Sequence, residues 1–378
     1  MFGKKIELFR AFGIPINLDP SWFVIVALMV FSLARQYFPT ANPGLSSQTY
    51  WAMGALGAVG LFASVLLHEM GHALVAQRRG MKMRGITLFF FGGVAEMSDE
   101  PPNARTEFLV AIAGPAVSFA LALLGLGVLL LGSLGNLWSL PARAVLGYLA
   151  TINGFLGLFN LIPAFPLDGG RVLRAVLWAW KGSLRKATRI TSGVGSVFGL
   201  LLMGFGVYAF LQQSWAGIWY ILLGLFVRNA AQMSYQQLLL RRALEGEPVS
   251  HFMQPNPVTV PRGISVEELV REYIYRYHYK MYPVLDDAGR LLGCVNTRQV
   301  KELPRDEWDR QTVGALAESC RPENTTSPDT DAMQALSAMS RNGISRLMVV
   351  EGDRLVGILT LKDLLQFFSL KMELEEAR

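Results

Sequence analysis

YWAMGALGAVGLFASVLLHEMGHALVAQ, residues 50–77, is the stretch on which the reading of this chain turns. Glu69 is its one fully charged side chain, and its length exceeds the ~20 residues that cross a hydrocarbon core. Its C-terminal half nevertheless carries His68-Glu69-Met70-Gly71-His72. Positions i and i+4 share a helical face, so both imidazoles can bind one metal ion. Glu69 falls beside them, where a carboxylate can take a proton from water acidified by that metal. Accidental spacing is the bland alternative. Against it, the chain has 4 His and two of them are here. A charge at mid-span also costs on the order of 2.5–3.5 kcal/mol on insertion scales, so it usually marks function.

Working outward, further segments apolar enough to span lie at 20–37, 105–133, 144–163, 190–212 and 215–234. The segment at 20–37 has a second reading as a signal peptide. The 19 residues before it and the lack of a small-residue cleavage pattern after it favour an uncleaved helix. GIPINLDPSW, residues 13–22, reads as an interfacial strand or loop. Charged residues make up 17% of the chain, against about 25% in soluble chains. They are unevenly placed: residues 1–242 hold 19 Lys+Arg and 8 Asp+Glu, whereas residues 243–378 hold 16 and 21. A basic membrane part is therefore expected to precede a mildly acidic, water-compatible part.

The positive-inside rule orients the spans. Lys4, Lys5 and Arg10 precede the first span, Arg78, Arg79, Lys82 and Arg84 follow the second, and Arg171, Arg174, Lys181, Arg185, Lys186 and Arg189 follow the fourth. Arg241 and Arg242 follow the sixth, while the alternate loops hold little beyond Arg35 and Arg143. Six spans of a multi-pass cell-membrane protein, with both termini in the cytoplasm, satisfy all of these. The pI near 9.3 does not imply nucleic acid, because no basic stripe is interleaved with stacking aromatics. Cys294 and Cys320 make neither a disulfide framework nor a cysteine zinc site.

Catalytic zinc generally takes three protein ligands and keeps an open position. His251 and His278 lie in the soluble part, so a carboxylate of the membrane half is expected to be the third. Glu7, Asp19, Glu96, Asp99, Glu100 and Glu107 flank spans or sit in loops near other charges, which leaves Glu69 and Asp168. Asp168 ends Asn160-Leu-Ile-Pro-Ala-Phe-Pro-Leu-Asp at the cytoplasmic end of the fourth span. Taken by itself, an Asp before Gly169 and Gly170 is a turn or cap residue. The missing ligand makes it a zinc ligand instead. Depth agrees, since His68 lies roughly 15 Å below the surface marked by Arg78, at 1.5 Å per residue. Pro163 and Pro166 break the fourth span, and broken backbone at depth is tolerated where it lines a water-filled cavity.

His68-Glu-Met-Gly-His72 together with Asn160-Leu-Ile-Pro and Leu167-Asp-Gly-Gly resembles the site-2 protease family of intramembrane metalloproteases. Ala113-Gly-Pro115 and Phe91-Gly-Gly93 are also similar to that family, and the likeness covers about residues 1–240. The resemblance implies one zinc on His68, His72 and Asp168, and Glu69 as general base. It also implies Asn160 helping to hold the substrate or the oxyanion; a polar helix-packing contact is the alternative for Asn160. Its substrates would be single-span membrane proteins, cut inside the bilayer in regulated intramembrane proteolysis. Residues 86–97 offer either an exposed strand edge to an extended peptide or an apolar re-entrant loop that merely packs.

Beyond Arg242 the sequence repeats: Pro261 pairs with Pro328, Tyr282-Pro-Val with Leu347-Met-Val, and Gly293 with Gly357. Each copy, 246–309 and 310–372, reads as helix, strand, turn, strand, helix. The pair resembles tandem cystathionine β-synthase-type (CBS) modules, which pack as pseudo-dimers and often bind adenine nucleotides. That resemblance implies a nucleotide held by Thr360 and Asp363, and a homodimer through these modules. The first copy has Asn296 and Gln299 at those places, so at most one competent nucleotide site is expected; Asp363 as a helix cap is the alternative. The expected architecture is thus an α-helical polytopic membrane domain of six transmembrane helices plus a C-terminal α/β tandem CBS domain. A transporter or channel gated by the soluble pair, or an inactive scaffold, remains open as a competing function. Neither accounts for the His-Glu-x-x-His arrangement with every catalytic residue type present.

Overall fold

Ser46 and Asn103 set the starts of the two helices that matter most. The Ser46 hydroxyl accepts the Thr49 N–H at 3.2 Å, and the Asn103 carboxamide oxygen accepts the Thr106 N–H at 2.9 Å. Each satisfies one of the donors that a helix start leaves without an internal partner. The computed structural model describes residues 6–90, 92–97, 100–135, 137–319 and 323–376. Lys4, Lys5, Phe91, Asp99 and Cys320 lie outside the described residues. The chain divides into two units, 1–236 and 237–378.

The first unit opens with strands β1 (Ile6–Ala11) and β2 (Ile14–Leu18), so GIPINLDPSW contributes a strand rather than a loop. Helices α1 (Ser21–Ala41) and α2 (Ser47–Arg78) follow, then strands β3 (Met83–Phe89) and β4 (Gly92–Met97). Next come α3 (Ala104–Leu134), α4 (Leu140–Asn160), α5 (Asp168–Lys181), α6 (Leu184–Leu211) and α7 (Ala216–Leu244). The strands form one sheet in the order β1-β2-β3-β4, two antiparallel hairpins joined by parallel pairing of Ile16 with Ile86. Alternation along β2, together with a continuously buried middle of β3, packs Ile14, Ile16 and Ile86 against Met70 and Ala73 of α2. The sheet is thereby fixed to the helical turn that carries the His motif.

Small residues bring α3 close to the same turn. A methyl group on Gly71 would meet Val117 Cγ2 at 2.8 Å and the Ala113 carbonyl at 3.1 Å, a close helix approach typical of membrane bundles. The fourth span is displaced from the sequence reading of 144–163: α4 starts at Leu140 and ends at Asn160, and residues 161–167 form turns. Pro163 and Pro166 have no N–H to continue the helix. Its end is closed instead by tight bonds from Leu161 N–H to Leu158 O and Ile162 N–H to Phe159 O.

Among the described residues, five helices are long and apolar enough to cross a membrane: α1, α2, α3, α4 and α6. The sixth predicted span, 215–234, does form within α7, but Arg228-Asn229 interrupts its apolar run and it is not among the five.

The second unit holds two four-stranded sheets. In the first, β6 (Val260–Pro261), β7 (Met281–Leu285) and β8 (Leu291–Asn296) are extended by β9 (Glu318–Ser319). In the second, β10 (Thr325–Thr326), β11 (Arg346–Glu351) and β12 (Arg354–Thr360) are extended by β5 (Gln254–Pro255). Each copy therefore lends a short edge strand to the other, which a division into 246–309 and 310–372 does not convey. Their cores repeat as well: Leu269, Tyr282, Val284 and Val295 in one, Ala335, Leu347, Val349 and Leu359 in the other.

Candidate metal centre

One face of α2 carries Ser64, His68 and His72 at intervals of four, all buried. Opposite, one face of α3 carries Val110, Gly114 and Ser118 at the same interval. Asp168 joins them from the first turn of α5. Its approach depends on close backbone packing behind it, because a methyl group on Gly169 would lie 2.2 Å from the Leu161 carbonyl oxygen. A side chain there would push α5, and Asp168 with it, off the 161–167 turns.

His68 Nε2 and His72 Nε2 each lie 3.1 Å from Asp168 Oδ2 and 3.3 Å from each other. Among the described residues, this is the group of His, Cys, Asp or Glu side chains whose ligand atoms all lie within 4.8 Å of one another. Donors about 2.0–2.1 Å from a tetrahedral zinc stand about 3.3 Å apart, so the spacing fits one ion. Gly114 supplies an independent sign. A methyl group there would sit 2.1 Å from His72 Nε2 and 2.6 Å from His68 Nε2. The space on to which both donor nitrogens face is kept clear by a missing side chain.

The far sides of both rings are also held. His72 Nδ1 donates to the Val110 carbonyl at 2.6 Å, and His68 Nδ1 pairs with Ser118 Oγ at 2.8 Å. A carbonyl can only accept, so His72 Nδ1 carries the proton and Nε2 presents its lone pair. Metal-ligating histidines almost always bond outward in this way.

Glu69, between the two histidines in the sequence of α2, is held by β4. Its Oε2 accepts the Ala95 N–H of β4 at 3.2 Å, and a methyl group on Gly93 would strike Glu69 Cγ at 2.6 Å. Asn160 is the half-buried last residue of α4, and its carboxamide forms no hydrogen bond with another described residue.

Sequence reasoning missed Ser118, the Val110 carbonyl and Asn153. The Asn153 carboxamide donates to Ser64 Oγ at 2.9 Å, while its own oxygen is buried with no partner among the described residues. The periodic spacing of Val110, Gly114 and Ser118 around Ala113-Gly-Pro115 was the available signal. Glu107, read as a flanking acid, is instead fully buried in the first turn of α3 and paired with Arg174 of α5.

In the second unit, Thr360 ends β12 and Asp363 lies in the first turn of α8 (Leu361–Glu376). Asp363 Oδ2 accepts the Thr360 N–H at 3.0 Å and the Thr360 hydroxyl at 2.6 Å; the Asp363 N–H returns a bond to Thr360 Oγ1 at 3.2 Å. Asn296 and Gln299 make the matching capping box in the first copy, so this pattern caps a helix in both. Thr360 and Asp363 also line a cavity of about 1120 Å³ with Tyr279, Arg346 and Lys362.

Comparison with known proteins agrees with both units. Residues 56–134 and 126–203 match the model of Peptidase family M50, and residues 249–305 and 317–370 match that of the CBS domain. A zinc metalloprotease of Methanocaldococcus jannaschii is 32% identical over 375 residues, 98% of either chain. Stage IV sporulation protein FB of Bacillus subtilis is 28% identical over 290 residues, 72% of this chain and 94% of that one. Among solved structures, the site-2 protease from Methanocaldococcus jannaschii is 34% identical, covers 61% of this chain and 95% of that one, and has a TM-score of 0.42. Matched over nearly its whole length at such identity, the chain belongs to peptidase family M50, the site-2 protease type of zinc metalloprotease, and carries a CBS pair.

Proposed function

We propose that this enzyme cuts the transmembrane segments of single-span membrane proteins, with zinc on His68, His72 and Asp168 and Glu69 as general base. The observation that carries this reading is the convergence of three donor atoms at 3.1–3.3 Å on buried helices, beside a glycine that leaves room for an ion. Zinc, when bound, supplies Lewis acidity that acidifies water and polarises a carbonyl oxygen. Glu69 takes the proton of the attacking water and delivers it to the leaving amine. Asn160, one short turn region from Asp168 in sequence, offers a carboxamide to the substrate or its oxyanion.

A helical substrate hides its peptide bonds and must unwind before attack. The edge position of β4 in the described sheet favours the strand reading of residues 86–97 over mere packing. The Ala95 N–H is directed to Glu69 rather than to β3, so the open edge of β4 lies on the side of the general base. A peptide adding there as a strand would be extended and adjacent to Glu69.

The distribution of Arg and Lys supports six crossings with both termini in the cytoplasm, α7 being the sixth. The cavity at Thr360 and Asp363 has the size of a small-ligand site and two nearby cations, Arg346 and Lys362, suited to phosphate. An adenine nucleotide there would couple the cell's energy state to proteolysis. The test of the main reading is cleavage of a model single-span substrate by native enzyme and by Glu69→Gln. Cleavage lost in the variant supports it; equal processing by both removes it.

A further inference from the structure

We infer that Ser118 is a positioning residue that sets the tautomer and ring angle of His68, and with them much of the affinity of the metal centre. The inference rests on the proposed role of His68 as a ligand and extends it to a residue outside the ligand set.

The two imidazoles are oriented by different kinds of group. Behind His72 stands a main-chain carbonyl, Val110 O, at 2.6 Å. It belongs to the α3 backbone and accepts by necessity. Behind His68 stands a side chain, Ser118 Oγ, at 2.8 Å. Ser118 is 0% exposed and His68 3% exposed, so the bond is shielded from bulk water. For His68 to present the Nε2 lone pair that faces Asp168 Oδ2, its proton must sit on Nδ1. The Ser118 oxygen then accepts that proton's hydrogen bond. Without it, the Nδ1–H would be a buried donor with no partner, a state that proteins avoid. The ring would relieve it by turning or by moving the proton to Nε2, and either change withdraws the lone pair from the site.

Position on the helix reinforces the assignment. Val110, Gly114 and Ser118 are spaced by four, so a single face of α3 does three things. It orients His72, leaves the space on to which both Nε2 atoms face, and orients His68. Ser64 is the natural control. It lies one turn from His68 on α2, is 8% exposed, and bonds Gly60 O and Asn153 rather than a ligand.

The experiment is a zinc titration of full-length protein in detergent, stripped with a chelator and read by competition with a metal indicator. Native protein, Ser118→Ala, Ser118→Thr, Ser64→Ala and His68→Ala are compared. Outer-shell changes typically cost 10–100-fold in metal affinity. Ser118→Ala is expected to weaken zinc by at least about 10-fold. Ser118→Thr, which keeps the hydroxyl, should recover most of that, and Ser64→Ala should stay near native. Cobalt(II) loading adds a spectroscopic check, with the ligand-field bands altered in Ser118→Ala and native in Ser64→Ala. Native affinity in Ser118→Ala, with zinc lost in His68→Ala, would overturn the role of Ser118 and leave the metal site standing. So would equal losses in Ser118→Ala and Ser64→Ala. Failure of the native protein to take up zinc would remove both.

Discussion

Replacing Gly114 with Ala adds one carbon at the place where it does most harm. That carbon would lie 2.1 Å from His72 Nε2, whereas ordinary contact begins at 3.4 Å, so the nitrogen must retreat by about 1.3 Å. His68 Nε2, at 2.6 Å, must retreat by about 0.8 Å. Metal–ligand distances tolerate only about ±0.2 Å. His72 cannot withdraw without breaking its 2.6 Å bond to Val110 O, and His68 is tied in the same way to Ser118. The expected loss therefore exceeds the ~10–100-fold of an outer-shell change; more than about 100-fold in zinc affinity corresponds to about 2.7 kcal/mol or more. Destabilisation of the metal-free fold should stay near the ~1–3 kcal/mol of a single overpacked carbon. Chelator competition on the purified full-length variant reads the first quantity, and thermal melting of the metal-free protein reads the second. A Gly114→Ala protein that binds one zinc within about threefold of native affinity would refute the reasoning, because the ligands would then not face Gly114.

Other outcomes follow from separate parts of the molecule. Glu107→Gln leaves Arg174 without its buried carboxylate and should destabilise the membrane unit by about 3–5 kcal/mol; an unchanged melting temperature would show the pair to be solvated. Val94→Cys, on the exposed part of β4, should form disulfides with single-cysteine substrates at alternate substrate positions, since strand neighbours alternate faces. Equal crosslinking at every substrate position would argue against strand addition. Glu245→Cys, just beyond α7, should react with a membrane-impermeant maleimide after permeabilisation but not in intact cells, if α7 crosses. Labelling from outside would leave five crossings. Thr360→Ala removes one arm of a helix cap and should cost about 1 kcal/mol, measured by melting of the full chain with and without adenosine triphosphate. A ligand-induced rise of melting temperature retained in full would exclude Thr360 from the nucleotide site.

The cluster of His68, His72 and Asp168 was legible in the sequence to the extent that it rests on helical period and on scarcity. His68 and His72 are four apart on a helix, and Asp168 is one of few acids without another explanation. The repeat of the second unit was legible for a similar reason, since paired apolar strands and turns return at a near-constant offset. What escaped depends on where two elements meet. Ser118 is an ordinary small residue in an apolar helix until α3 is laid against α2, and the Val110 carbonyl has no side-chain signature at all. Glu107 looked like a flanking charge because Arg174, its partner, is 67 residues away in sequence. The end of α4 was overrun by three residues because hydropathy continues through Leu161 and Ile162, while the helix is stopped by the missing N–H groups of Pro163 and Pro166. Exchange of β5 and β9 between the two CBS copies was invisible, as two-residue strands carry no period.

The central claim is that two imidazoles from α2 and one carboxylate from α5 hold a single ion within the membrane unit. X-ray absorption at the zinc edge of the full-length protein tests it most directly. Two nitrogen ligands of imidazole type and carboxylate oxygen are expected at about 2.0–2.1 Å, with one imidazole lost in His72→Ala and the carboxylate contribution lost in Asp168→Ala. Sulfur at about 2.3 Å, or a spectrum indifferent to both substitutions, would contradict it.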